Sequence, residues 1–220
     1  AQEFARAGAR VTVASRKQAN VDAALATLGE HALGLVADVR DEASVASALA
    51  QAAAAQGPID VLVSGAAGNF LAEVNSMSSN AFKVVLDIDL LGSFHVARQA
   101  WPHLRKPGAS VLFITAPQAV VPMPFQAHVG AAKAGVDQFM RVLALEWGPA
   151  GVRVNAISPG PIQGTEGMKR LAPQIQDGDA TLRAMVPLGR MGTPQDIAHL
   201  AMFLGSDAAS YISGTVIACD

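Results

Sequence analysis

Asp89 is a carboxylic acid in a stretch of the chain that otherwise has the pattern of the apolar side of a helix. Phe82, Val85, Leu86, Asp89 and Ser93 have the spacing of residues on one helical face. A carboxylate on such a face is costly unless it is paired with a base or protonated, and such residues often have perturbed pKa values. Asp89 is therefore a candidate general acid. The alternative is a structural role as a cap or as the partner of a nearby base.

Lys133 is the second candidate. No Asp, Glu, Lys or Arg occurs in residues 107–132, so this lysine ends a long uncharged segment. A solvated lysine on a helix surface is the alternative reading. His128 lies five residues earlier, at the start of the same predicted helix, but a lone histidine more often has a structural role or faces a partner. We therefore leave His128 out of the candidate catalytic set.

Continuously apolar strands alternate with helices along the chain, which predicts the elements that position these residues. The chain opens with the pattern of a helix end, terminated near Gly8. The predicted strands are residues 11–15, 32–36, 61–64, 111–115, 152–157 and 215–218, and the further predicted helices are 21–28, 43–55, 81–104 and 128–147. This order is typical of an α/β fold, a single doubly wound parallel sheet (Rossmann-type) with helices on both faces. In such sheets the first strand is central and a glycine-rich loop follows it. Neither is found in the sequence, so we expect the domain, residues 1–220, to be incomplete at its N-terminus.

Two basic residues follow the first predicted strand. An acidic residue there would bind the ribose 2′-hydroxyl of NAD, whereas Ser15, Arg16 and Lys17 suit the 2′-phosphate of NADP(H). Ordinary surface charges are the alternative. Between Thr165 and Arg190 the periodicity weakens, which predicts a substrate lid over residues 165–190 or a simple surface excursion.

Composition excludes several classes of protein. Hydrophobic residues make up 51% of the chain and charged residues 15%, which is a globular composition. The net charge of −2 without a basic cluster makes nucleic acid an unexpected partner. One cysteine forms no intrachain disulfide, and we expect no metal site and no membrane span. A cytoplasmic location is the default, and a peroxisomal one stays open because a C-terminal signal would lie beyond Asp220.

Several short motifs together resemble the short-chain dehydrogenase/reductase family. They are Ala37-Asp38-Val39, Gly65-Ala66-Ala67-Gly68, Asp89-Leu90-Leu91-Gly92, Lys133, Arg153-Val154-Asn155, Pro159-Gly160 and Gly192 to Ala198. Within the family the chain is most similar to the peroxisomal type of 2,4-dienoyl-CoA reductase, on residues 66–71, 80–83, 87–89, 114–116, His128, 132–134 and 159–167. The resemblance implies NADPH-dependent reduction of a 2,4-dienoyl-CoA to a trans-3-enoyl-CoA in the oxidation of unsaturated fatty acids, and a homotetramer.

The resemblance also implies roles for particular residues. Lys133 would hold the nicotinamide ribose. The other implied cofactor contacts are Asp38, Val39, Ala66, Pro159, Gly160, Pro161, Ile162 and Thr165. The implied substrate contacts are Arg40 and Arg170 for the phosphates of coenzyme A, with Phe70, Ser78, Ser79 and Asn80 along the thioester path. Ser79 stands where close relatives have a large apolar residue, which affects the expected chain-length preference.

The catalytic positions of the wider family are altered here. Most members have a Tyr four residues before the lysine, a Ser after the preceding strand and an Asn on the neighbouring helix; this chain has Val129, Ala116 and Asp89. Ketone reduction needs an acid for the new alkoxide, whereas reduction of a conjugated thioester forms an enolate that is protonated at carbon. The alternatives are reduction of a 3-oxoacyl thioester or another ketone, and a cofactor-binding protein without catalysis.

Overall fold

The computed structural model describes residues 1–165, 167–168 and 178–220. Six parallel strands form two sheets, one of two strands in the order β2-β1 and one of four in the order β3-β4-β5-β6. The strands are β1 (Thr12–Ser15), β2 (Leu33–Val36), β3 (Val61–Ser64), β4 (Ser110–Ile114), β5 (Arg153–Pro159) and β6 (Val216–Cys219). All six predicted strands are present, and the parallel α/β architecture is confirmed.

Helices cover both faces of the four-stranded sheet, as expected for buried parallel strands. They are α1 (Gln2–Arg6), α2 (Gln18–Leu28), α3 (Glu42–Gln56), α4 (Ser79–Leu86), α5 (Gly92–Ala100), α6 (Ala127–Trp147), α7 (Gly178–Met185) and α8 (Pro194–Gly205). One core cluster joins β4 and β5 to α5 and α6, centred on Phe113 and Met140. A second core cluster packs α8 against Leu112 and Ile157. The predicted elements omitted α7 and α8.

The prediction of one helix over residues 81–104 is wrong in its middle. Between α4 and α5 the backbone forms a π-helical turn, Asp87–Leu91, which carries Asp89. Such turns are rare and occur often at functional sites. Apolar periodicity does not reveal it, because one wider turn changes the hydrogen bonding without interrupting the helical face. After it, Gly92 permits close packing, since a Cβ there would lie 2.7 Å from Cγ2 of Val39.

A cavity of about 1130 Å³ separates the two sheets. Strands β1 and β3 line it on either side, and residues of α3 and α8 line it further. Backbone hydrogen bonds link β1 to β2 and β3 to β4, but none joins β1 to β3 among the described residues. At the carboxyl ends of the strands the cavity reaches Ser15, Arg16, Asp38 and Ala66, so it is continuous with the predicted cofactor residues.

The segment predicted as a lid, residues 165–190, is described only in part. Residue 166 and residues 169–177 lie outside the described residues. Helix α7 occupies part of the remainder, and Leu182 and Val186 are buried. The lid therefore stays a prediction.

Candidate active site

Asp89 and Lys133 are brought together by two different helical segments. The π-helical turn carries Asp89 and α6 carries Lys133. Their side chains form an ion pair, with Asp89 Oδ2 3.2 Å from Lys133 Nζ. Both residues are buried, with exposures of 1% and 6%. A buried ion pair survives only where further polar contacts hold it, and this one has two.

The first contact is from the loop after β3, where the Gly68 N–H donates a hydrogen bond of 2.7 Å to Asp89 Oδ1. The second is at the end of β4, where Lys133 Nζ donates to the Ile114 carbonyl oxygen at 3.0 Å. Two strand ends thus fix one acid and one base. Because the carboxyl ends of parallel strands are where ligands bind in open α/β sheets, this pair has the position of an active site.

Burial raises the pKa of Asp89 above its usual range, and Lys133 and the Gly68 N–H oppose this rise. The net direction is upward, so Asp89 holds a proton at a higher pH than a free carboxyl does. A carboxylic acid of this kind can donate a proton to a substrate carbon or oxygen. Lys133 meanwhile fixes the carboxyl group in one orientation.

The residues predicted to bind the cofactor surround a basic corner at the carboxyl end of β1. Arg16 and Lys17 are exposed there, and Ser15 Oγ accepts a hydrogen bond of 3.3 Å from Asn20. No acidic residue follows β1 directly. The donor set therefore fits an additional phosphate better than a ribose hydroxyl.

Asp38 and Arg40 form a close ion pair at the same corner. Arg40 donates to both carboxylate oxygens of Asp38, at 2.6 Å from Nη2 and 3.0 Å from Nε. The hydrogen bonds from Arg40, with a smaller contribution from the charge of Arg16, lower the pKa of Asp38 to about 2. Arg40 thus belongs to the same cluster of charges as Arg16. The carbonyl oxygen of the neighbouring Val39 accepts a hydrogen bond of 2.8 Å from His95 Nδ1.

The residues after β5 form a tightly fixed loop. The Gly160 N–H donates to the Cys219 carbonyl oxygen at 3.0 Å, and the Thr165 hydroxyl donates to Ile162 at 2.9 Å. A Cβ at Gly160 would lie 2.6 Å from Asp220 Cβ, so this position requires glycine. Pro159 is the last residue of β5, and the loop contains the other four predicted contacts, Gly160, Pro161, Ile162 and Thr165.

The predicted substrate residues occupy different surroundings. Phe70 stacks on His128, with ring centroids 4.2 Å apart. Ser78 caps α4 by accepting a hydrogen bond from the Ala81 N–H, while Ser79 and Asn80 are exposed in its first turn. Arg170 lies outside the described residues. The structure therefore links Phe70 to the Asp89 site through the loop that also contains Gly68.

Two buried ionisable residues near the site lie outside the predicted set. His128 is fully buried, and burial lowers the pKa of its imidazole. Asp137 lies one turn beyond Lys133 and is 3% exposed; burial raises its pKa against the effects of Thr115, Arg141 and Lys133. Sequence spacing places Asp137 on the face of Lys133, which was the available clue. Nothing in the local sequence indicates how deeply His128 is buried.

Within the described part of the chain, no cluster of three or more His, Cys, Asp or Glu side chains has an arrangement suited to a metal ion. None of the helices in that part combines the length and apolar character of a membrane span.

The whole chain, residues 1–220, matches a family described as enoyl-(acyl carrier protein) reductase. It is 46% identical over 183 residues to a peroxisomal 2,4-dienoyl-CoA reductase of Saccharomyces cerevisiae described as (3E)-enoyl-CoA-producing. That alignment covers 83% of this chain and 62% of the yeast protein. The corresponding protein of Rattus norvegicus is 42% identical over 226 residues, covering 100% of this chain and 77% of the rat protein.

A probable 2,4-dienoyl-CoA reductase of Bacillus subtilis, described as (2E)-enoyl-CoA-producing, is 41% identical over 188 residues, with 83% of this chain and 73% of that protein covered. Among solved structures, a short chain dehydrogenase from Bacillus anthracis superposes with a TM-score of 0.85 at 33% identity, covering 99% of this chain and 87% of that one. The family match extends over the same residues that form the sheet, the Asp89–Lys133 pair and the loop after β5. The chain belongs to the short-chain dehydrogenase/reductase family.

Proposed function

We propose that the protein is an oxidoreductase that reduces a 2,4-dienoyl-CoA to a (3E)-enoyl-CoA with NADPH, as a step in the oxidation of unsaturated fatty acids. The observation that carries the proposal is the buried pair of Asp89 and Lys133, an acid and a base held 3.2 Å apart. Relatives whose names specify this reaction support the substrate class.

The reaction requires a group that donates a proton to a carbon atom of the substrate. It requires no group that donates a proton to an alkoxide oxygen, as the reduction of a ketone does. When bound, the reduced nicotinamide supplies a hydride. A (3E) product requires hydride at C5 of the dienoyl thioester, movement of the double-bond electrons toward the thioester oxygen, and a proton at C2. Asp89 is suited to give that proton because burial raises its pKa. Val129, which packs in an apolar cluster with Val85, offers no hydroxyl group for carbonyl reduction.

Lys133 has two tasks in this scheme. Its ammonium group orients the Asp89 carboxyl, while the Ile114 carbonyl fixes the lysine itself. The same ammonium would also hold the nicotinamide ribose by donating hydrogen bonds. Both tasks depend on burial, which strengthens hydrogen bonds to charged groups.

The cofactor is a nicotinamide dinucleotide, and the residues after β1 favour NADPH over NADH. Arg16 and Lys17 would bind the 2′-phosphate, with Ser15 beside them. Asp38, Val39 and Ala66 would contact the adenosine end, and the loop after β5 would hold the nicotinamide end. A guanidinium and an ammonium are the groups that recognise phosphate in proteins.

For the substrate, Phe70 lies in the loop after β3, two residues beyond Gly68, whose N–H binds Asp89. Ser78, Ser79 and Asn80 would line the thioester path, and Arg40 and Arg170 would bind the phosphates of coenzyme A. Because Arg40 is already paired with Asp38, its guanidinium group would have to contact the Asp38 carboxylate and the incoming phosphate at the same time. A peroxisomal location is a further part of the proposal, supported by the relatives named as peroxisomal. The homotetramer stays a prediction from the family resemblance.

The cavity between β1 and β3 supports one more proposal. The complete domain would have a further parallel strand in this cavity, followed by a phosphate-binding glycine-rich loop. Within the described part of the chain, both facing strands have edges without a backbone partner, which is a costly arrangement in a buried sheet. The mass of the protein purified from its source tests this. A mass above 22.6 kDa would support the added strand, and a mass of 22.6 kDa would contradict it.

The decisive experiment follows NADPH oxidation at 340 nm with a 2,4-dienoyl-CoA and with a 3-oxoacyl-CoA of equal chain length. Turnover of the dienoyl thioester alone is expected. Turnover of the ketone alone would contradict the proposal, and NADPH binding without either turnover would indicate a non-catalytic binding protein.

The Bacillus relative favours a second product, the (2E)-enoyl-CoA, which differs only in the carbon that is protonated. Running the reaction in D₂O separates the two. Deuterium at C2, detected by NMR, is expected for the (3E) product. Deuterium at C4 would show that the proton is delivered as the name of the Bacillus relative implies.

A further inference from the structure

His128 is a buried histidine with unused hydrogen-bonding capacity. Its exposure is 0%, and neither ring nitrogen has a hydrogen-bond partner of ordinary geometry among the described residues. A backbone group of Phe70 makes a contact of poorer geometry that raises the imidazole pKa, and it can occupy only one of the two ring nitrogens. Buried polar groups without partners are rare in proteins and costly to maintain. An imidazole in this state has unused capacity to bind something that enters the site.

The position of His128 favours a negatively charged or polarised ligand. It is the second residue of α6, a helix of 21 residues, and the backbone N–H groups of that first turn have no acceptor within the helix. The residue at the N-cap, Gln126, does not cap the helix with its side chain; its amide oxygen instead accepts a hydrogen bond from Gln118 at 2.9 Å. The positive end of the helix and the unused imidazole therefore coincide.

Two residues connect His128 to the proposed reaction. The Phe70 ring covers the imidazole at 4.2 Å, and Phe70 lies in the loop that donates from Gly68 to Asp89. Asp89 is also close enough to His128 for their charges to influence each other's pKa. Burial nevertheless lowers the pKa of His128, so at neutral pH the ring is uncharged and carries one N–H donor.

We propose that the His128 N–H donates a hydrogen bond to the thioester oxygen of the substrate and stabilises the enolate that forms there. This inference rests on the proposed dienoyl-CoA reduction. Hydride added at C5 moves one electron pair from C4=C5 to C3=C4, a second from C2=C3 to C1=C2, and a third onto the oxygen. A proton from Asp89 to C2 then restores the carbonyl group and leaves the C3=C4 double bond. His128 keeps its proton throughout.

The geometry explains why the thioester oxygen is the group bound. In this reaction negative charge develops on that oxygen, and it is separated from C2 by only two bonds. A donor beside Asp89 is therefore placed to reach the oxygen while Asp89 reaches C2. Since the Phe70 ring stacks on the imidazole, it would move aside as the thioester enters. Preorganised donors in dry sites stabilise such oxyanions effectively.

The test uses two substitutions that remove the donor, His128→Phe and His128→Leu, with His199→Leu on the exposed side of α8 as the matched control. Each protein is mixed with NADP⁺, which cannot give hydride, and with 2,4-hexadienoyl-CoA. A hydrogen bond to the carbonyl oxygen polarises the conjugated thioester and moves its ultraviolet absorption band to longer wavelength. The band position is recorded together with the dissociation constant, the turnover with NADPH and the melting temperature.

The wild type and the His199→Leu variant are expected to move the band, and both His128 variants are expected to leave it near its position in water. Turnover with NADPH should fall by about 100-fold or more in the His128 variants. Their melting temperatures should equal or exceed that of the wild type, because an apolar residue removes an unpaired buried polar group. A purely structural histidine would instead give lower melting temperatures.

Three results would overturn the inference. One is a band shift of wild-type size in either His128 variant, and another is turnover within about 3-fold of the wild type. The third is a lower melting temperature in both His128 variants, which a purely structural histidine would give. Two variants are used so that one misfolded protein does not decide the matter. Absence of dienoyl-CoA turnover in the wild type would contradict the proposed function itself, which is a separate outcome.

Discussion

Replacing Asp89 by Asn tests the acid directly. Asparagine has nearly the same shape, and its Oδ1 can still accept the hydrogen bond from Gly68, so the loop after β3 should keep its position. The amide cannot give a proton to carbon. Because general acid catalysis contributes about 10²- to 10⁴-fold, the kcat for dienoyl-CoA should fall by at least 100-fold. The dissociation constant for NADPH, measured by its fluorescence, should change little.

The same substitution should also lower stability. At 3.2 Å and an effective dielectric constant of about 20, the ionised pair attracts by about 5 kcal/mol. Part of this attraction offsets the cost of burying the carboxylate, so the net loss from leaving Lys133 unpaired should be about 3 kcal/mol. Urea denaturation measures this loss. Lys133 would keep only its hydrogen bond to the Ile114 carbonyl oxygen.

Asp87→Asn is the matched control. Asp87 lies two residues away on the same π-helical turn, but it pairs with Lys83 near the surface. Surface pairs of this kind contribute less than about 1 kcal/mol, so stability and turnover should stay near those of the wild type. Turnover within 10-fold of the wild type in Asp89→Asn would refute the assignment of Asp89 as the acid. Equal loss of turnover in both variants would show that the turn, and not the carboxyl group, matters.

Four further outcomes are expected. Arg16→Ala should weaken NADPH binding by about 10-fold, measured by fluorescence titration, and leave NADH binding unchanged, because it removes one charge-assisted contact to phosphate; equal weakening of both would contradict 2′-phosphate recognition. Gly92→Ala should lower the melting temperature and weaken NADPH binding, since its Cβ would displace Val39; normal binding would show that Val39 does not contact the cofactor. With rising pH, kcat/KM for dienoyl-CoA should fall through the pKa of Asp89, which burial raises, because the protonated form reacts; an unchanged rate across that range would exclude the acid. Thr193→Ala should destabilise the protein by about 1 kcal/mol in urea denaturation, since the hydroxyl caps α8; no change would mean that α8 does not need this cap.

The arrangement of strands and helices could be predicted because its causes are local in the sequence. Strands such as β4 are apolar throughout, which follows from burial on both faces, and their alternation with helices leaves few topologies. The π-helical turn could not be predicted in the same way. It depends on how α4 and α5 meet the loop after β3, so the apolar pattern runs through it without change.

The candidate site shows the same division. Sequence spacing singled out Asp89 and Lys133 as charges in apolar segments, and the basic residues after β1 indicated a phosphate. Arg40 carried no comparable clue to its partner, because its pairing with Asp38 depends on the local course of the chain after β2.

What the sequence determined by itself is the inventory: an α/β chain, an acid and a base in apolar segments, and two basic residues after the first strand. The tertiary structure decided which of these groups meet. The 3.2 Å distance between Asp89 and Lys133 requires the ends of β3 and β4 to bring the π-helical turn and α6 together. The burial of His128 likewise depends on Phe70, which lies far from it in sequence. Residue type fixes what a side chain can do, whereas burial and neighbours, which set its pKa and its partners, exist only after the chain has folded.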